Sequence, residues 1–478
     1  MNRDSQRPRG CMFTLEEMRE VLRADVLGMR AGIVTGFQVD SRQVQPGDCF
    51  VALPGEKTDG HLFIPQAVQA GASACIVSET YRVPEPVSRY IDQGRVALIQ
   101  VADPLEALKE LARHRMNQIA PAVVGITGSV GKTTTKDMVA SVLSMGGPVL
   151  KSRGNYNTEI GMSLNLVELQ RHHRWVVLEY GMRGLGEITR LCQIAAPEIA
   201  VVTVIGENHL ERLGSIENIA KAKSELLQGL KPGGTAVLNR DDPHQVRLAD
   251  NHRGEICWYG LEDQQGTLIQ VEERADGTFH LNYGGWSVPL RLPVPGRHNL
   301  LNSLAASTVG VLAGIDLPLI AEALSEFESS GMRGQLIENK GVLWINDAYN
   351  AGPASMRAAL HMLADLSRRG RKIAVLGDML ELGEAAPGLH EQVGYDAVSV
   401  GCDMLFTFGR LAAHIAFGAR RAGMDASACR EFDTLEALAE ALNDVLLPGD
   451  TVLVKGSRGM RMERLFDLFQ VQEEESSS

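Results

Sequence analysis

The run Gly-Ile-Thr-Gly-Ser-Val-Gly-Lys-Thr-Thr-Thr at 125–135 has the residue types of a phosphate cradle. Gly125, Gly128 and Gly131 free the backbone where it must approach phosphate oxygens. The Lys132 ammonium reaches the β/γ-phosphates of a nucleotide, and the Thr133 hydroxyl suits Mg²⁺. An apolar run at 122–127 precedes the loop, and a helical pattern with Met138, Val139, Val142 and Leu143 on one face follows it. A strand-to-helix turn of this kind aims unpaired N–H groups and the positive end of the helix dipole at an anion. The spacing departs from the common P-loop in one place, because Ile126 rather than glycine stands five positions before Gly131. A glycine-rich turn that binds nothing is the plain alternative; Gly-Lys-Thr between a strand and a helix argues against it.

Other groups with chemistry fall at the carboxyl ends of expected strands, which share one edge of a parallel sheet. Glu179 ends a run at 175–181, and His209 lies three residues past a run expected to end at Gly206. A carboxylate and an imidazole beside a triphosphate suit Mg²⁺. Each alone is better explained otherwise, Glu179 by capping or an ion pair and His209 by a local hydrogen bond; together with a P-loop they favour the metal. Lys223 falls in phase with the apolar stripe Ile216, Ile219, Leu226, Leu227 and Leu230 of a helix at 216–230. A buried amine needs a partner or a chemical change, unless its stem carries the charge out to water. Nearer the C-terminus, Asp347 and Asp378 end strands and Lys455-Gly456-Ser457-Arg458 follows a third. Ordinary capping accounts for either aspartate singly, whereas the set suggests a second ionisable edge in a cleft that closes over a ligand.

These groups need a scaffold of alternating strands and helices. Runs at 47–55, 73–79 and 95–101 read as strands, and 103–119 reads as a helix with an Asp-Pro start. Runs at 122–127, 175–181, 200–206 and 235–242 are apolar without alternation, as in parallel strands covered on both faces. The alternation restarts with strands at 342–347, 372–378, 404–409 and 450–456 and a helix at 434–446. The expected fold is α/β in three domains: a small α/β domain over 1–119, a central P-loop α/β domain over 120–331 and a Rossmann-like α/β domain over 332–478.

The bulk numbers agree. A chain of 478 residues with 44% hydrophobic content is long enough for roughly three cores. The formal charge of -12, from 47 Lys+Arg and 59 Asp+Glu, argues against a nucleic-acid partner. Seven cysteines, odd in number and without a CxxC pair, read as free thiols in a reducing compartment. The polar, basic start has no apolar stretch after it, and no run approaches the ~20 apolar residues of a membrane span. The tail Val-Gln-Glu-Glu-Glu-Ser-Ser-Ser reads as solvated. A cytoplasmic protein with no membrane partner is expected.

Taken together, these segments resemble the Mur ligases, ATP-dependent amide-forming enzymes of peptidoglycan synthesis. The resemblance runs from about residue 37 to 463. It rests on Gly-Ile-Thr-Gly-Ser-Val-Gly-Lys-Thr, whose family form Thr-Gly-x-x-Gly-Lys-Thr accounts for the missing glycine. It also rests on GNYNTEIG (154–161), EYGMRGLGEI (179–188), NHLERLGSIENIAKAKSE (208–225), PGRHNLLNSLAA (295–306), GMRGQ (331–335), DAYNAGPASM (347–356), LGDMLELG (376–383) and KGSRGMRME (455–463). Thr158 departs from the more common Asn, and Met162-Ser163 from Leu-Pro.

The resemblance implies ATP and Mg²⁺. It implies a nucleotide held by Thr127, Gly128, Ser129, Val130, Gly131, Lys132, Thr133 and Thr134, with His298, Asn299 and Asn302 at the adenine and Arg333 and Asp347 nearby. It implies Mg²⁺ on Thr133, Glu179, His209 and Lys223, the last as a carbamate. Lys132, His209, Lys223, Asn350 and Arg333 would serve catalysis. Ser41, Arg42, Asp59, His61, Asn157, Lys455, Ser457 and Arg458 would contact substrate. DAYNAGPASM and LGDMLELG are the forms of the series' last ligase, and the preceding ligase's Asp-Asn-Pro-Arg/Ala motif is missing. The implied substrates are therefore a UDP-N-acetylmuramoyl tripeptide and D-Ala-D-Ala, joined by a monomer. VDSR, PGDCF and DGHLF (39–63) disfavour a folylpolyglutamate synthase, which lacks that first domain. Lys132, Glu179, His209 and Lys223 are all present, which disfavours a non-catalytic homologue, and three domains disfavour a simple ATPase switch.

Overall fold

The computed structural model describes residues 12–469 apart from 30, 56–57, 276, 330 and 368–369. Cys11, the basic start and the acidic tail lie outside the described residues. The chain divides into two compact units. One comprises Met1–Val123, Pro148–Tyr180 and Arg190–Ala196; the other comprises Val124–Gly147, Gly181–Thr189 and Pro197–Ser478.

In the first unit a five-stranded sheet has the order Asp25–Gly28, Ala97–Val101, Ala74–Ser78, Asp48–Val51, Gly36–Gln38. The Asp25–Gly28 strand is antiparallel to its neighbour and the rest are parallel. Cys75, Val77, Leu98 and Phe50 pack with Ile64, Ala67 and Val68 of a short helix on one face. The helix Pro104–Ile119 begins where the Asp-Pro signal puts it: the Asp103 carboxylate accepts from the N–H groups of Leu105 and Glu106, and Pro104 occupies the first turn. It ends on Ala120 in the left-handed region. Lys109 on this helix binds Glu159 of the helix Glu159–Leu166 at 3.0 Å. Thr158 caps that second helix by accepting from Gly161 N–H, a task suited to its hydroxyl. The strands Val149–Lys151 and Trp175–Glu179 pair in parallel.

In the second unit the strand Ala122–Thr127 pairs through Val124–Thr127 with Ile199–Val202, followed by Thr235–Asn239 and Glu255–Tyr259, all parallel. The helices Lys132–Ser144 and Arg297–Leu312 pack together. A three-stranded antiparallel sheet that the apolar pattern does not announce is formed by Gln270–Glu273, Phe279–Tyr283 and Trp286–Leu290. A six-stranded sheet follows, in the order Gln335–Asn339, Val342–Asn346, Thr451–Lys455, Lys372–Gly377, Met404–Phe408, Cys429–Phe432. All its pairs are parallel except the first, where Gln335–Asn339 runs antiparallel to its neighbour outside the expected strands. One face is covered by Met356, Leu360, Val393, Ala397 and Ile415, the other by Leu438, Leu442, Leu465 and Phe466, as apolar parallel strands require. Among the described residues six cysteines are free, and no helix is long and apolar enough to cross a membrane.

Candidate active site

The P-loop lies between the strand Ala122–Thr127 and the helix Lys132–Ser144. Gly128 has φ +152, and a Cβ there would stand 1.9 Å from Thr203 Oγ1. Gly131 caps the helix at φ +85, where a Cβ would stand 2.6 Å from Asn302 Oδ1. Both positions thus need glycine for close approach as well as for φ. No side chain caps the helix, and a helix N-terminus of this kind favours an anion. Lys132 Nζ donates to Gly128 O at 2.8 Å, which draws the ammonium over the loop.

A second segment holds the loop. The strand expected to run to Gly206 ends at Val202, and Val204 continues only as a single bridge to Val130. The reason is polar: Thr203 Oγ1 donates to Val130 O at 2.5 Å, and Ser129 Oγ donates to Gly206 O while accepting from Gly206 N–H. Behind this turn Asp242 accepts from Ile205 N–H and from Gln245 Nε2, and Gln245 Nε2 also donates to Thr203 O. The Tyr259 hydroxyl completes the network on the carbonyls of Val202 and Thr203.

His209 follows at φ +60, leading into the short helix Leu210–Leu213. Its Nδ1 lies 2.6 Å from Glu381 Oε2. Burial pushes the imidazole below its ordinary value, with Lys132 and Lys223 acting in the same sense and Glu381 against it. The ring is therefore neutral near pH 7, the form that ligates metals. Lys223, on the helix Ile216–Gln228, is 2% exposed and makes no hydrogen bond or ion pair among the described residues. Burial, reinforced by Lys132, pushes its amine well down. Lys132, His209 and Lys223 are thus close enough to act on one another.

Gly296, at φ +98, precedes the helix Arg297–Leu312, and the His298 ring packs where its Cβ would be. Burial lowers the His298 imidazole, with Asp347 opposing. Asn299 Nδ2 donates to Pro295 O, which fixes the turn, and Asn302 Nδ2 reaches Asn299 Oδ1 at 3.4 Å. Lys455 is buried and meets Asp347 Oδ2 at 2.5 Å and Asn350 O at 2.9 Å. Arg458 N–H reaches Asn350 Oδ1 at 3.4 Å. The Arg333 guanidinium lies 3.9 Å over the Tyr349 ring, with Arg458 5.9 Å from the same ring. Ser457 is buried; its hydroxyl accepts from Leu380 N–H and donates to Ala351 O, so it joins two loops.

The first unit carries the remaining candidates. Glu179 accepts from Asn157 Nδ2 at 2.9 Å, and its own N–H donates to Ser152 Oγ. Asp59 accepts from His61 Nδ1 at 2.7 Å, while His61 Nε2 accepts from Ser78 N–H, fixing the imidazole between its own turn and the end of the strand Ala74–Ser78. Ser41 Oγ donates to Gln66, and Arg42 forms a two-point ion pair with Asp40 on the surface. Among the described residues no three His, Cys, Asp or Glu side chains gather as a metal site.

Family models match three stretches: "Mur ligase family, catalytic domain" at 33–116, "Mur ligase middle domain" at 126–310 and "Mur ligase, glutamate ligase domain" at 332–458. The chain is 37% identical over 435 residues to the UDP-N-acetylmuramoyl-tripeptide–D-alanyl-D-alanine ligase of Bacillus subtilis, covering 91% of this chain and 92% of that one. The chain belongs to the Mur ligase family. The Escherichia coli ligase of the same name is 34% identical, with 95% and 97% covered. MurF from Acinetobacter baumannii superposes with a TM-score of 0.84 at 30% identity, covering 97% of this chain and all of that one. MurF ligase from Thermotoga maritima, solved in complex with ADP, superposes at 0.78 and 30%, covering 91% and 97%.

In this Mur ligase several residues that shape the site carry no sequence signal of their own. Thr203 and Asp242 act from separate turns on the P-loop, with no local spacing to mark them. Tyr349 and Glu381 lie inside DAYNAGPASM and LGDMLELG, so the motifs were visible while the contacts were not.

Proposed function

We propose that this Mur ligase joins D-alanyl-D-alanine to a UDP-N-acetylmuramoyl tripeptide, coupled to ATP cleavage. The observation that carries this reading is the near full-length likeness to relatives named for that activity. Lys132, His209 and Lys223 in mutual reach of one P-loop support it. Nucleotide use goes with the family; ATP and Mg²⁺ in particular are part of the proposal.

The γ-phosphate passes to the terminal carboxylate of the tripeptide, giving an acyl phosphate and ADP. The D-Ala-D-Ala amine attacks the acyl carbon, and the tetrahedral intermediate expels phosphate to leave the amide. Residues 127–134 cradle the phosphates, and Lys132 leaves its loop carbonyl for the stronger phosphate acceptors. His298, Asn299 and Asn302 flank the adenine. Asp347 and Arg333 lie toward the ribose and phosphates, and Tyr349 orients Arg333. Asn350, Lys455, Ser457 and Arg458 face the acceptor, and water is kept from the acyl phosphate. Ser41, Arg42, Asp59, His61 and Asn157 serve the UDP-muramoyl peptide.

Mg²⁺ would neutralise phosphate charge. The Thr133 hydroxyl, the Glu179 carboxylate and neutral His209 are suitable donors. A Lys223 ammonium does not fit a cation site; its buried, depressed amine fits after reaction with CO₂. That reaction forms an N–C bond, releases one proton and leaves an anionic carbamate. The division into domains at 119/120 and 331/332, a monomeric state and a cytoplasmic location belong to the same proposal.

The test is phosphate release from ATP with UDP-muramoyl tripeptide, with and without D-Ala-D-Ala, together with the product mass. Release should require the dipeptide and yield the pentapeptide. Release that ignores the dipeptide, or no pentapeptide, refutes the reading.

A further inference from the structure

His209 and Glu381 are both non-glycine residues in the left-handed region, at φ 60 and φ 63. Such backbone persists only where the surroundings hold it. Here the two strained residues meet, Nδ1 to Oε2 at 2.6 Å. The loops around them pack closely. Glu211 N–H donates to Glu381 O at 3.3 Å. A Cβ on Gly383, at φ +59, would stand 3.2 Å from Glu211 Cα, and one on Gly352 would stand 2.8 Å from Asn208 Oδ1. Glu381 is carried by the loop after the strand Lys372–Gly377, so its carboxylate reaches His209 only when that loop is seated.

The contact has a chemical consequence. A carboxylate at Nδ1 accepts, so Nδ1 carries the proton and Nε2 carries the lone pair. Nε2 makes no hydrogen bond among the described residues. The other charged groups that act on the ring are Lys132 and Lys223, on the P-loop side. Metal-ligating histidines commonly donate their second nitrogen to a carboxylate, which fixes tautomer and ring direction.

We propose that Glu381 is a positioning residue: by accepting from Nδ1 it fixes the His209 tautomer and ring, so that Nε2 is presented to the divalent cation when the 378–383 loop is seated on the 208–211 turn. This rests on the reading of His209 as a metal ligand. Loop seating and cation affinity are then two sides of one coupling, and each strengthens the other.

The test uses the full chain and Mn²⁺ as probe, titrated by electron paramagnetic resonance with a non-hydrolysable ATP analogue. Glu381→Ala should weaken Mn²⁺ binding about 10–100-fold. Glu381→Gln should lose less, because an amide oxygen still accepts from Nδ1–H. In the metal-free protein, ¹⁵N imidazole shifts should show one tautomer of His209 in the wild type and Glu381→Gln, and a mixture in Glu381→Ala. His209→Ala serves as the benchmark, and thermal unfolding confirms that each variant folds. Wild-type Mn²⁺ affinity in Glu381→Ala beside a weakened His209→Ala overturns the role of Glu381 alone. Wild-type affinity in both overturns the reading of His209 as well. An unchanged tautomer in Glu381→Ala also overturns the proposal.

Discussion

Lys223 shows how one residue constrains a mechanism. A lysine buried with Lys132 as its charged neighbour is held toward the neutral amine, the form that reacts with CO₂. Lys223→Ala should lower turnover about 10²–10³-fold, the scale of a lost charge-stabilising group. Added acetate or formate should restore part of it; unchanged activity in the variant sinks the carbamate. Gly128 makes the steric case. Gly128→Ala places Cβ against Thr203 Oγ1 and should weaken nucleotide binding more than ~10-fold, since a misplaced loop group costs on that order or more. Gly266 is also at positive φ but meets nothing within 4 Å, so Gly266→Ala should cost about 1 kcal/mol of stability and leave nucleotide affinity alone. Equal nucleotide affinity in the two variants, measured by calorimetry, contradicts the close-approach argument. Glycine at 128 was legible from spacing. Its partner Thr203 was not, because a contact between residues 75 positions apart leaves no local signal.

At the scale of elements, the segments that were legible had both a period and a boundary. Asp103-Pro104 announced a helix start, and runs such as Val123-Val124 and Leu453-Val454 announced buried strands. The antiparallel sheet over 270–290 lacked that pattern: Gln270–Glu273 carries one apolar residue, and its faces are mostly exposed. Its one strong signal was Gly284-Gly285, both at positive φ in a two-residue turn that pairs Tyr283 with Trp286. The strand Lys372–Gly377 leads into a loop that depends on His390, a fully buried side chain. Its Nδ1–H donates to Ala386 O at 2.6 Å, and Nε2 accepts from Met379 N–H at 2.9 Å, so both nitrogens are committed to the neutral form. Burial accordingly lowers its pKa from 6.5. A base whose folded pKa is depressed stabilises the fold fully above the unfolded value and loses that contribution as pH falls below about 6.5 toward the folded value. In urea unfolding, His390→Gln should therefore fall further below the wild type at pH 7.5 than at pH 5. An equal gap at both pH values excludes the mechanism. Asp242 is the corresponding support beneath the P-loop. Asp242→Ala strands Ile205 N–H and His244 N–H and removes a partner of Gln245, at a cost of about 3 kcal/mol.

For the whole molecule, the division of labour proposed for the two ligands follows the division into compact units in most residues; Glu179, a proposed Mg²⁺ donor, falls in the first unit, and Lys455, Ser457 and Arg458, proposed substrate contacts, fall in the second. The nucleotide candidates 127–134, His298, Asn299, Asn302, Arg333 and Asp347 all fall in the second unit, while Ser41, Arg42, Asp59, His61 and Asn157 fall in the first. A ligand that binds only the folded form stabilises the unit holding it by RT ln(1 + [L]/Kd), about 2.7 kcal/mol at a hundredfold excess over Kd. Each unit contains a sheet and a buried apolar cluster formed wholly from its own residues, the five-stranded sheet in the first and the six-stranded sheet that begins with Gln335–Asn339 in the second, so each has the means to melt cooperatively. Differential scanning calorimetry should then show a transition raised by a non-hydrolysable ATP analogue and another raised by UDP-N-acetylmuramoyl tripeptide. Variants should separate them: Lys132→Ala should abolish the first shift and spare the second, and Asp59→Ala combined with His61→Ala should do the reverse. If both ligands raise one and the same transition, or if Lys132→Ala abolishes both shifts, the assignment of nucleotide and UDP-muramoyl peptide to separate units is wrong.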